Sequence, residues 1–86
     1  MIPIHELLAR IRWDPEFGRG QWEIAYLDHS RAELVRVPLE DIRTRPGDHF
    51  MFELIDEEGA AQGIPFHRVR EVRRDGELVW SRPRSA

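Results

Sequence analysis

The chain has 86 residues, 41% apolar and 34% charged, the balance of one globular domain with a small core and a heavily charged exterior. It contains no cysteine, which excludes disulfides, thiolate zinc sites and cysteine nucleophiles, and no apolar run approaches the roughly 20 residues of a membrane-spanning helix. Net charge is −3 but unevenly spread: seven Arg stand against thirteen Asp and Glu before residue 62, and six Arg against three acids after it.

Residues 3–12 are predicted to be helical, because Ile4, Leu7, Leu8 and Ile11 fall at i, i+3, i+4 and i+7 on one stripe. Pro3 suits the first turn, and Asp14-Pro15 closes the segment. Trp22, Ile24 and Tyr26 then alternate with polar or small residues in a first strand, followed by a second over 34–37. Pro38 opens one helical turn reaching Ile42, and Arg45-Pro46-Gly47-Asp48 is turn chemistry. Phe50, Phe52 and Leu54 mark a third strand, and a short one runs through Gly63 and Ile64. Asp75-Gly76 is the two-residue hairpin signature joining the last two strands. Val69 and Val72 are three apart, which breaks period two and predicts a bulge or helical turn near 65–68, an irregularity that often re-aims side chains.

The expected fold is α+β: an N-terminal helix packed on a small curved, mostly antiparallel sheet of five or six strands. Residues 1–82 are expected to form one domain and residues 83–86 a flexible tail. With no signal-like or membrane-spanning segment, the expected compartment is the cytoplasm.

All thirteen basic residues are Arg and none is Lys. Arginine grips phosphate bidentately, which lysine cannot do, although codon bias produces the same pattern. The stretch Ile64-Pro65-Phe66-His67-Arg68-Val69-Arg70 and onward to Trp80 concentrates one histidine and four arginines. Guanidinium forks hold two oxygens of a terminal phosphate, an imidazole N–H reaches a third, and Phe66 is expected to stack on the terminal base.

Residues 64–80, with Leu7-Leu8-Ala9-Arg10-Ile11-Arg12-Trp13-Asp14-Pro15 and Val37-Pro38-Leu39-Glu40-Asp41-Ile42, resemble the RNA cyclic-group end recognition domain, also called the RNA repair domain. The resemblance covers nearly the whole chain. It implies a module that recognises phosphate-bearing RNA termini, 2′,3′-cyclic or related, without catalysis or cofactor. His67 and Arg68 match the family's His-Arg pair. Asp28-His29 falls where relatives carry a His-Arg or Asp-Arg pair, with histidine here in place of the usual arginine. The expected phosphate contacts are therefore His67, Arg68, Arg70, His29 and Phe66. The expected partners are RNA 3′ ends or cyclic-phosphate nucleotides, with an RNA ligase or nucleotidyltransferase as a candidate protein partner and no membrane.

Two alternatives remain open at this point. An RNA-end phosphodiesterase would pair His29 with His67 as general acid and base. The two-histidine class needs His-x-Ser/Thr motifs, however, and His5, His29, His49 and His67 are followed two places on by Leu7, Arg31, Met51 and Val69. A protein adaptor would instead use the acidic residues Glu40, Asp41 and Asp56 to Glu58. Consecutive carboxylates on a strand point apart, so no metal site is expected. His5 and His49 read as surface residues without partners, and Trp13, Trp22, Trp80 and Tyr26 as core or core-edge.

Overall fold

A computed structural model of the chain describes residues 2–28, 30–45 and 47–82. The apolar stripe folds as helix α1, Ile4–Trp13, and buries Ile4, Leu7, Leu8 and Ile11. The Pro3 carbonyl receives the first amides, Glu6 N at 3.1 Å and Leu7 N at 3.2 Å. At the other end Asp14 adopts extended backbone, as a residue before proline must. Its carboxylate accepts from the Glu16 and Phe17 amides, both at 3.2 Å, and turns the chain back. A side chain at Gly18 would place Cβ 2.2 Å from the Ile11 carbonyl oxygen, so only glycine fits that reversal. The Gly18 carbonyl then accepts the Trp22 indole N–H at 3.1 Å, which anchors the start of the first strand on the helix.

Among the described residues, seven strands follow in two antiparallel sheets. They are β1 Trp22–Asp28, β2 Glu33–Pro38, β3 Ile42–Arg43, β4 Met51–Ile55, β5 Ala61–Pro65, β6 Val69–Arg74 and β7 Glu77–Ser81. The first sheet has the order β2-β1-β6-β7 and the second β3-β4-β5. A 3-10 turn at Leu39–Asp41 follows Pro38, as expected, and a second at Phe66–Arg68 separates β5 from β6. The strand beyond the expected six is β3, two residues long and too short to show a period.

One core joins the layers. Ile24, Val69 and Val72 from the first sheet, and Phe52 and Ile64 from the second, are its least exposed members, and all pack with the α1 stripe. The Phe52 and Phe66 rings meet at 5.2 Å between centroids in a tilted pair, which ties the second sheet to the 3-10 turn. No helix among the described residues is long and apolar enough to cross a membrane.

The last hairpin has the expected turn. Asp75 and Gly76 both take positive φ, 52° and 84°, the type I′ requirement. The Asp75 carboxylate also accepts the Gln21 amide at 2.8 Å, while its own amide donates to the Gln21 carbonyl at 2.8 Å. The turn is thereby fastened to the entry of β1. Replacing Gly76 by alanine forces a Cβ into left-handed backbone and is expected to cost about 1–2 kcal/mol. Urea unfolding should show a lower midpoint at constant slope.

Candidate functional site

The irregular spacing of Val69 and Val72 resolves as a bulge. Along the β1–β6 ladder Ala25 pairs with Glu71, but Tyr26 pairs with Val69, leaving Arg70 as the extra residue of β6. The two valines stay buried on one side, and Arg70 is released from the alternation and re-aimed. The β6–β7 ladder carries a separate shift, with Val72 opposite Trp80 and Arg73 opposite Leu78. Beyond the last pair, Glu71 with Ser81, the Arg82 amide donates to the Arg70 carbonyl at 2.8 Å. Two arginines thus face each other across the open end of the hairpin.

Both turn toward the same acceptor. Arg70 Nη1 donates to the His67 carbonyl at 2.6 Å, and Arg82 Nη1 donates to that oxygen at 3.2 Å. The Arg82 guanidinium also lies over the Trp80 ring, 5.4 Å from its centroid, which fixes its direction. Like charges set opposite each other across a strand pair are destabilising. Burial first, and the charge of Arg70 second, hold the Arg82 guanidinium below its ordinary value, though it remains a cation at neutral pH. Among the described residues neither arginine has a carboxylate within ion-pair distance. One neutral carbonyl is shared between two forks of five donors each.

The other arginines of the C-terminal stretch are committed elsewhere or only partly free. Arg73 pairs with Glu71 at 3.4 Å, and the same carboxylate receives Arg36 at 4.0 Å. Arg74 lies over Trp22, 5.8 Å from the ring centroid. Arg68 is half-buried, and its Nε is buried without a hydrogen-bond partner. An unpaired buried N–H is costly and invites an acceptor.

Of the residues expected from sequence, His67, Arg68 and Arg70 come together within the 3-10 turn and the bulge that follows it. His67 is exposed, with its imidazole on the surface and its carbonyl at the centre of the arginine pair. His29 lies outside the described residues, so the His29–His67 pair is not described either. Phe66 is 4% exposed and packed on Phe52, so its ring is a core element and offers no face to a base; in a 3-10 turn the strand alternation that would have signalled this is absent. Arg82 is the residue that sequence reading missed, because its partner is set by the register shift of the β6–β7 ladder and not by any spacing.

The histidines that do meet are His5 and His49, which had read as unpartnered. Their rings stack at 4.2 Å and 9° across the gap between α1 and the segment before β4. Trp13 is likewise not a core-edge residue but 70% exposed. Among the described residues no group of three or more histidines and carboxylates is placed to hold a metal ion. A depression of about 780 Å³ lies beneath the hairpin turn, lined by Trp22, Leu39, Glu40 and Asp75 among others, and by none of His67, Arg68, Arg70 or Arg82. A phosphate is gripped by projecting guanidinium forks and needs no deep cavity, so charge geometry and not concavity locates the site.

Compared with known proteins, residues 1–82 match the family model described as the MJ1316 RNA cyclic group end recognition domain. A UPF0248 protein of Archaeoglobus fulgidus is similar, 36% identical over 76 residues that span 88% of this chain and 100% of the relative. No solved structure matches the chain.

Proposed function

The chain belongs to the MJ1316 RNA cyclic group end recognition domain family, and on that premise we propose that it binds phosphate-bearing RNA 3′ ends, 2′,3′-cyclic or related, at the Arg70–Arg82 pair. The observation that carries this reading is the pair of arginines opposed across the hairpin end, with no carboxylate of the described residues within ion-pair distance of either. A phosphate replaces their mutual repulsion with charge-assisted hydrogen bonds to both. His67, whose carbonyl takes both arginines, is exposed, and its imidazole is a further candidate donor to the phosphate oxygens. The acidic remainder of the surface repels the body of an RNA strand, which favours a terminus over an internal segment.

The test is a titration with short RNAs identical except at the 3′ end. A cyclic-phosphate end is expected to bind roughly ten- to a hundredfold more tightly than a hydroxyl end, the scale of one or two charge-assisted hydrogen bonds. Affinity should also fall with salt, with a logarithmic slope of about −0.7 for each phosphate neutralised. Equal affinity for the two ends would overturn the proposal.

A further inference from the structure

We propose that Phe50 is the platform on which the base of the terminal nucleotide stacks; the proposal rests on the reading of the Arg70–Arg82 pair as the phosphate site. A terminal phosphate is one ribose away from its base, so an aromatic platform has to lie beside the phosphate grip. Phe66 is buried, and Tyr26, Trp22 and Trp80 are in the core. The large aromatics left exposed among the described residues are Trp13, at 70%, and Phe50, at 81%.

A singly exposed apolar ring is ordinary and by itself implies nothing. Phe50 is distinguished by what holds it. Its carbonyl accepts the Phe66 amide at 2.8 Å, so its backbone is hydrogen-bonded to the residue immediately before His67, whose carbonyl gathers both arginines. Its own amide donates to the Asp48 carboxylate at 2.9 Å, and the same oxygen takes the Met51 amide at 3.1 Å. These two amides, that of Phe50 first, keep the Asp48 carboxyl below the ordinary carboxylate value, so the clamp is ionised and intact at neutral pH. The exposed ring thus projects from a backbone hydrogen-bonded to the turn whose His67 carbonyl takes both arginines, and a base meets it with little further ordering of the main chain. Trp13 ends α1 beside a depression of about 360 Å³ that also takes in His5, His49 and Phe66, whereas the backbone hydrogen bond to the Phe66–Arg68 turn is made by Phe50. Stacking tolerates every base, because each has a π-face, so the module should discriminate the chemistry of the end far more than the identity of the base.

The experiment uses three short RNAs on the whole chain: one with a cyclic-phosphate end and 2-aminopurine as the last base, the same end on an abasic last ribose, and 2-aminopurine with a hydroxyl end. For the unmodified protein the first should bind most tightly and its fluorescence should be quenched. Phe50→Ala should weaken the first by about tenfold or more and abolish the quench, while leaving the abasic ligand unaffected. Phe50→Trp should restore both and Phe50→Leu should not, with unfolding midpoints unchanged because the ring is exposed. If the unmodified protein does not prefer the phosphate end, the phosphate reading falls and takes this one with it. If it does prefer that end but Phe50→Ala weakens the base-bearing and abasic ligands alike, or neither, Phe50 is not the platform and the phosphate site stands. Loss of the quench in Trp13→Ala with Phe50→Ala unchanged overturns the assignment in the same way.

Discussion

Replacing Arg70 and Arg82 together by alanine is expected to reduce affinity for a phosphate-terminated RNA by about a hundredfold or more, with little loss of folding stability. Each guanidinium contributes a charge-assisted interaction of about 1.5–3 kcal/mol, and every 1.4 kcal/mol is a factor of ten. The two residues share one ligand, so the single replacements should not sum to the double. Stability behaves differently. Each replacement removes a donor from the His67 carbonyl, but that oxygen sits at the surface, where water takes the donor's place. Against this small loss stands relief of a like-charge pair opposed across the hairpin, worth about 0.2–1 kcal/mol. The net change is expected to lie within about 1 kcal/mol of zero. Arginine-to-lysine replacement keeps the charge but loses the fork, so it should fall between the wild type and alanine in affinity. Isothermal titration with a nucleoside cyclic phosphate, beside thermal unfolding of the same variants, separates the two effects. A structural role for the pair would show the reverse: midpoints lowered and affinity unchanged.

Phe66→Ala is expected to destabilise the domain by about 3–5 kcal/mol, the cost of emptying a buried aromatic site. A domain of this length has only about 4–13 kcal/mol in total. The ring is 4% exposed and packs on Phe52, itself 1% exposed, where the second sheet meets the first. The variant should therefore lose RNA binding by unfolding, with a large drop in the urea midpoint. Phe66→Leu keeps most of the apolar volume and should keep binding close to that of the unmodified chain. If Phe66→Leu instead remained fully folded yet lost the preference for a base-bearing end, the ring would be acting on the base, and its burial against Phe52 would have to be relieved in the complex.

These two residues also mark how far the amino-acid sequence could be read. The helical stripe of α1 is a local pattern and survives whole in the structure, whereas Ala25 is buried between Ile24 and Tyr26 in β1, and of Phe50, Phe52 and Leu54 only Phe52 is buried, Phe50 standing before β4 with its ring exposed. Asp75-Gly76 is legible as α1 is, since a type I′ turn is dictated by two adjacent residues. The valine spacing announced an irregularity before β6, and the structure places a 3-10 turn at Phe66–Arg68 and a bulge at Arg70. What could not be read was the partner of Arg70. Which residue faces it across the hairpin depends on the shift between Val72 and Arg73 in the β6–β7 ladder, which sets Arg82 opposite it. The burial of Phe66 was hidden because three residues in a 3-10 turn carry no alternation. The His5–His49 stack was hidden because its members are far apart in sequence and belong to different elements. Local order is written in the sequence residue by residue, whereas the cation pair depends on register.

The most direct measurement is the pair of guanidinium Nε–H resonances of Arg70 and Arg82, followed by NMR while a nucleoside 2′,3′-cyclic phosphate is titrated into the protein. The account predicts that both shift together, saturating at a single dissociation constant, while the resonance of Arg73, already engaged by Glu71, stays in place. Saturable binding of the nucleotide that leaves the Arg70 and Arg82 signals unmoved would contradict it.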